Sequence, residues 1–239
     1  MVDHDRLLKR ARSALTLGGG QDPPDLRLWE HSLRVMAGAE LIAQLPEVAD
    51  LRTDPVVLRI VSLYHDAGWA VQVEGKEISP HRVLTRPTND VQRELAAGLV
   101  ENSLSGDLPA KTVARASEAI RRINDHDAGL PESHVVSDAD NLDQIGPVGF
   151  LQNLRRDLIE GRTLRHALDT WHRQQEYHYW EARIRDGIRF ESVRELAWRR
   201  LAAMDPFMEA LGNHLDALDL AELTGVSAGD RPAPPRATC

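Results

Sequence analysis

Apolar residues recur at three- and four-residue intervals along most of this chain, separated by Arg, Glu, Gln and Ala, while the alternation of β-branched residues that marks half-buried strands is almost absent. That periodicity demands amphipathic helices that bury one face against each other, an all-α fold. The chain is long enough for it: 239 residues suit one large domain or at most two small ones, and 42% hydrophobic content excludes disorder throughout. A single cysteine, Cys239, excludes a disulfide framework. Lys and Arg number 29 against 37 Asp and Glu, a net charge of −8, so no nucleic-acid polymer is expected as partner. A local basic patch remains compatible with a small phosphorylated ligand, because net charge averages over the whole surface. No stretch approaches the ~20 apolar residues of a membrane span. The first residues carry charges of both signs with no apolar run behind them, and the expectation is a soluble cytoplasmic protein.

The breakers set the expected helix boundaries. A first helix covers Asp3 to Leu17 and stops at Gly18-Gly19-Gly20. Asp25 caps a second, running to about Gln44, with Leu26, Trp29, Leu33, Met36 and Leu41 as its buried stripe and Pro46 closing it. Thr53 or Asp54 caps a third, with Pro55 in its first turn and an end near Gly68. Val71 to Pro87, with Gly75, Pro80 and Pro87, reads as a functional loop. Further helices are expected over 90–103, 110–124 and 133–143, then one ending near Gly161, a long one over 163–184, and a final pair between Glu191 and Leu223. The Pro- and Ala-rich segment after Thr224 has no core-forming pattern and reads as a loose tail.

Chemistry concentrates in three places. His65 and Asp66 end the apolar run Leu58-Arg59-Ile60-Val61-Ser62-Leu63-Tyr64, where two polar side chains directed at a core would be costly to desolvate without partners. A divalent cation resolves that cost by making imidazole and carboxylate its ligands. Successive helical residues diverge by ~100°, so a shared ion has to lie beyond the helix end, where Gly68 allows a close approach. His31 lies mid-helix near the buried stripe, and alone it would read as a hydrogen-bonded core or surface histidine. Asp140 stands among Val135, Val136, Ala139, Leu142 and Ile145, not in a uniformly polar strip.

Taken in chain order, H…HD…D, these residues resemble the signature of the HD superfamily of metal-dependent phosphohydrolases. The contexts are Glu30-His31-Ser32-Leu33-Arg34-Val35, Leu63-Tyr64-His65-Asp66 and Asp138-Ala139-Asp140-Asn141-Leu142-Asp143-Gln144-Ile145-Gly146, the last being the most specific. The resemblance covers 25–150 and implies an HD-domain helical bundle there; the helical pattern and composition add a helix and loop before it (1–24), C-terminal helices packed on the core (151–223) and the tail (224–239). It implies one divalent transition metal, Mn, Co, Ni, Fe or Zn, held by His31, His65, Asp66 and Asp140, with Glu30 and Asp138 beside these ligands as their supports. The implied reaction is hydrolysis of a small phosphorylated metabolite, a nucleotide being the ordinary choice, by a metal-activated water.

Some family phosphatases carry a glutamate three residues after the doublet; here Trp69 stands there, and Glu74 is the expected substitute beside Asp66 in acid–base work. His81 and His126 fall where two-metal members add histidines, so an HD-type di-iron oxygenase is an alternative, as is a non-catalytic nucleotide-binding module. His126 also fits a position bordering the substrate pocket of single-metal members. Lys76, Arg82 and Arg86 share the following loop and are expected to grip phosphate. The aromatic cluster from Trp171 to Trp180 reads as helix packing or the seam of a homodimer, and secondarily as a pocket wall.

Overall fold

The structure, a computed structural model, describes residues 3–18, 23–125, 127 and 129–224. The expected tail after Thr224 lies outside these residues, as does His126. Fourteen α-helices are present among them: α1 (His4–Leu15), α2 (Arg27–Ile42), α3 (Pro46–Ala49), α4 (Pro55–Tyr64), α5 (Gly68–Glu74), α6 (Asp90–Leu104), α7 (Ala110–Arg121), α8 (Pro131–Asp143), α9 (Pro147–Ile159), α10 (Leu164–Glu176), α11 (Tyr179–Gly187), α12 (Glu191–Ala202), α13 (Met204–Leu215) and α14 (Leu218–Thr224). A 3₁₀ turn covers Pro80–Arg82, and the described residues contain no strand beyond a single backbone pairing of Leu17 with Asp25.

Several helix starts follow from the side chains that precede them. Asp3 accepts the amide of Arg6, and Asp54 accepts those of Val56 and Val57 ahead of Pro55. Asn89 and Gln92 form a reciprocal capping box on α6. Asp25 acts one residue before the cap position: it accepts the Arg27 amide while also pairing with the Arg27 guanidinium. α4 is apolar on nearly every side because it is the central rod, packed against α2, α6, α7 and α8. Glu132, fully buried at the start of α8, accepts the Asp54 amide at 2.7 Å and the Arg115 guanidinium, tying α8 to the start of α4 and to α7. α9 to α13 pack mainly on one another and reach this core where α11 and α12 meet α8.

Five expectations need correction. The buried face of α2 is Leu28, Trp29, His31, Ser32, Val35, Ala39 and Ile42, whereas Leu41 is 67% exposed and Leu33 and Met36 are half-buried. The stripe is rotated because two polar residues belong to the inward face. Gly68 does not end a helix but begins α5: a Cβ there would lie 1.9 Å from the Gln92 carbonyl oxygen, so glycine permits close contact with the α6 backbone. The segment expected as a loop from Val71 is therefore helical to Glu74. The long C-terminal helix breaks at His178, whose φ of 52° is left-handed, and the last pair is three helices.

Candidate metal centre

α2 presents His31 from its second turn, His65 caps the C-terminus of α4, the turn into α5 carries Asp66, and α8 presents Asp140. The four side chains converge. His31 Nε2 is 3.2 Å from His65 Nε2, 3.5 Å from Asp66 Oδ2 and 3.4 Å from Asp140 Oδ1. His65 Nε2 is 3.7 Å from Asp66 Oδ2 and 3.9 Å from Asp140 Oδ1. His31, His65 and Asp66 are buried, and Asp140 is the most open of the four.

The outer nitrogens settle the chemistry of the inner ones. His65 Nδ1 lies 2.8 Å from the Ser62 carbonyl, which only accepts, so Nδ1 carries the proton. His31 Nδ1 donates in the same way to Asp143 Oδ2 at 2.9 Å. In the neutral rings both Nε2 atoms then direct lone pairs at each other and at two carboxylate oxygens. Such an arrangement requires a cation, either a proton or a metal ion. Burial opposes charge on His31, yet hydrogen bonds that the ring would donate to Asp140, Asp143 and Asp66 hold its pKa well above the ordinary imidazole value. Burial would likewise raise the Asp66 carboxyl, but His65 and His31 hold it well below the usual carboxylate range. Two imidazoles and two carboxylates suit a divalent transition metal, and metal–ligand bonds of about 2.0–2.2 Å would separate neighbouring donors by roughly 2.8–3.6 Å, close to the spacings here.

Support for the cluster comes from Asp143, inside the third motif, and from Trp69 and Thr88, which lie outside the motifs. Asp143 accepts His31 Nδ1 and also Arg34 through Nε at 2.8 Å and Nη2 at 3.0 Å. Those partners outweigh burial and hold its carboxyl well below the usual range. Its position three residues after Asp140, on one helix face, was the available signal. Trp69 Nε1 donates to Thr88 Oγ1 at 2.9 Å, and Thr88 donates to Asp66 Oδ1 at 2.5 Å. Trp69 thus fills core space and, through Thr88, fixes the outer oxygen of Asp66. Thr88 had no signature in the sequence.

Other expected residues lie elsewhere. Glu30 is exposed on α2, facing away from the buried His31. Asp138 is buried but accepts the amides of Arg189 and Phe190, so it anchors the α11–α12 connection; burial pushes its carboxyl up to about 6 against those bonds. Glu74 is exposed at the end of α5, which carries it about 9 Å along the helix axis from Gly68, away from the doublet that precedes the helix. Lys76 is exposed just past that end, and Arg82 faces Glu160 at 3.9 Å; neither lines the cavity over the cluster. His81 is exposed in the 3₁₀ turn, where its carbonyl accepts from Arg155 and its ring is not among the cavity walls. The two-metal donor set accordingly lacks His81. Arg86 does line the cavity, its guanidinium 5.5 Å from the centroid of the Trp69 ring.

That cavity, about 400 Å³, has His31, His65, Asp66 and Asp140 in its wall. The opposite wall comes from α9 to α11, because the break at His178 turns Tyr179, Trp180 and Arg183 toward the opening. Trp171 and Trp180 pack together with ring centroids 6.0 Å apart, so the aromatic cluster serves both helix packing and the pocket wall. No helix of the described residues is long and apolar enough to cross a membrane.

Comparison with known proteins agrees with this architecture. Residues 28–145, about half of the chain, match the HD domain family. Bacillus subtilis YpgQ in complex with ADP superimposes with a TM-score of 0.57 at 21% identity, covering 89% of this chain and 97% of that one. A structure described as a predicted HD superfamily hydrolase, from an uncultured Thermotogales bacterium, gives 0.53 at 20% identity, covering 90% and 94%. At these identities the likeness is one of fold. No curated protein matches the sequence. The domain match encloses His31, His65, Asp66 and Asp140 and ends at Ile145, one residue before the glycine that closes the third motif, and by it residues 28–145 of this chain are an HD domain.

Proposed function

We propose that this protein is a metal-dependent HD-type hydrolase that cleaves a phosphate ester or anhydride of a small metabolite, a nucleotide being the favoured substrate. One observation carries the reading: a buried His–His–Asp cluster, joined by Asp140, opens into a cavity whose other charged walls are arginines, Arg86, Arg93, Arg156 and Arg183. An acidic protein that concentrates cations around two carboxylates has built a local field for an anion. Asn124, Gln152, Asn153 and Gln174 add amide donors and acceptors suited to hydroxyls or a base edge. The ADP complex of the fold relative YpgQ supports the nucleotide choice.

His31, His65, Asp66 and Asp140 would hold the metal, which when bound supplies a Lewis acid for a phosphoryl oxygen and a water of lowered pKa. The rest falls to this chain. Asp143 and the Ser62 carbonyl keep both imidazoles in the tautomer with Nε2 free. Thr88 occupies Asp66 Oδ1, leaving Oδ2 for the cluster. Arg86 binds phosphate oxygens at the cavity mouth, its charge seated on the Trp69 face.

The test loads the purified protein with Mn, Co, Ni, Fe or Zn and assays phosphate and pyrophosphate release from a panel of nucleotides and sugar phosphates. Release from at least one member is expected, together with its loss in His65→Ala and Asp66→Ala at unchanged helicity. Full turnover by either variant refutes the site; no release under any metal refutes the hydrolase reading.

A further inference from the structure

Two of the cavity's four arginines, Arg93 and Arg156, are neutralised by carboxylates; Arg86 and Arg183 are not, and of these Arg183 alone is held by hydrogen bonds among the described residues. Arg156 and Arg162 both approach the buried Asp157, and Arg93 pairs with Asp90 at 2.6 Å. Arg183, by contrast, has no carboxylate within salt-bridge distance among the described residues. Its Nη2 donates to Gln144 Oε1 at 2.6 Å and to Asn141 Oδ1 at 3.3 Å, its Nη1 to the Tyr179 hydroxyl at 3.3 Å, and its buried Nε has no partner. A guanidinium held by neutral acceptors in a half-buried place keeps its full charge toward the cavity.

The acceptors are themselves oriented. Asn141 Nδ2 donates to the Ser137 and Gly187 carbonyls, so its oxygen is left facing Arg183. Gln144 Nε2 lies 3.3 Å from both oxygens of Asp140, so its oxygen too is turned to Arg183. A single amide side chain therefore links the cluster carboxylate to the arginine and sets their separation at about 8 Å or less, by van der Waals and hydrogen-bond lengths. An anion in contact with the cluster falls within reach of Arg183.

We infer that Arg183, oriented by Gln144 and Asn141, is a phosphate-binding subsite of the cavity, supplied by a helix outside the HD domain. The inference rests on the proposed phosphohydrolase reading and specifies which residue grips the substrate's phosphoryl oxygens. Gln144 and Asn141 are positioning residues here, acting through Arg183. The loop arginine Arg86 holds the mouth, and Arg183 the wall beside the cluster.

The experiment uses the full chain loaded with Mn²⁺ and measures binding of inorganic phosphate and of pyrophosphate by calorimetry, with Mn²⁺ affinity and melting midpoint recorded for every variant. Arg183→Gln is expected to weaken at least one probe about ten- to hundredfold, the worth of a charge-assisted bond, with Mn²⁺ affinity unchanged. Arg183→Lys should recover part of the loss, because it restores the charge without the planar fork. Loss with phosphate alone places the arginine on the group at the cluster; loss confined to pyrophosphate places it on the neighbouring group. Wild-type affinity for both probes in Arg183→Gln overturns the subsite and leaves the hydrolase reading intact. Loss of Mn²⁺ along with the probes also overturns it, since the arginine is then structural. If the wild-type protein binds neither probe with Mn²⁺ in place, the inference and the reading beneath it fall together.

Discussion

Replacing Asp143 by Asn keeps the shape of the side chain and removes its charge, and the structure determines how the loss is divided. The carboxylate serves His31 on one side and Arg34 on the other, and an amide has one accepting oxygen for the two. The side chain of His31 is 3% exposed and that of Arg34 is 38% exposed, so water can replace a lost partner for Arg34 but not for His31. The amide oxygen therefore stays with His31 Nδ1, and Arg34 turns to solvent. The tautomer of His31 survives while the ring loses the carboxylate that makes it a stronger donor. Changes of this kind beyond the ligands typically cost 10–100-fold in metal affinity, about 1.4–2.7 kcal/mol. Asp143→Leu should do worse, because it leaves the buried Nδ1–H unsatisfied at a further cost of about 1–3 kcal/mol in stability and frees the ring to adopt the other tautomer. A competitive chelator titration with Mn²⁺, paired with urea unfolding, reads both effects. Wild-type metal affinity in Asp143→Asn, or equal affinities in the two variants, would refute the argument that this carboxylate sets the ligand.

Gly68→Ala places a methyl group against the α6 backbone at Gln92, which cannot swing aside as a side chain can, and should destabilise by about 3 kcal/mol in urea unfolding, the upper end for overpacking. Asp138→Ala removes the acceptor for the Arg189 and Phe190 amides; a loss of about 2–4 kcal/mol with unchanged metal affinity is expected, and a tenfold change in that affinity would return Asp138 to the cluster's supports. Metal at a hundred times its dissociation constant should add about 2.7 kcal/mol and raise the melting midpoint by roughly 5–10 °C; chelator should reverse the shift, and His65→Ala should not show it.

Legibility in the sequence followed the range of the interactions. Helix starts at Asp3, Asp54 and Asn89 are local hydrogen bonds within three residues, so the letters reveal them. Glu74 was misplaced because Gly75 and Pro80 suggested a loop, while the contact that makes α5 a helix, Gly68 against Gln92, joins residues far apart in the chain. Leu41 was assigned to the core from its apolar character. Its exposure follows from the inward turn of His31 and Ser32, which depends on what α8 presents opposite them.

By itself the sequence determined the helical class, most helix boundaries, and the three short contexts holding His31, His65-Asp66 and Asp140, because periodicity, caps and motifs are properties of neighbouring residues. Tertiary structure alone decided that Asp143 holds His31, that Thr88 holds Asp66, and that Arg183 faces the same cavity. Each of those pairings spans between 22 and 112 residues, and only the packing of α8 against α2 and α11, and of α6 against α5, brings the partners within hydrogen-bonding distance.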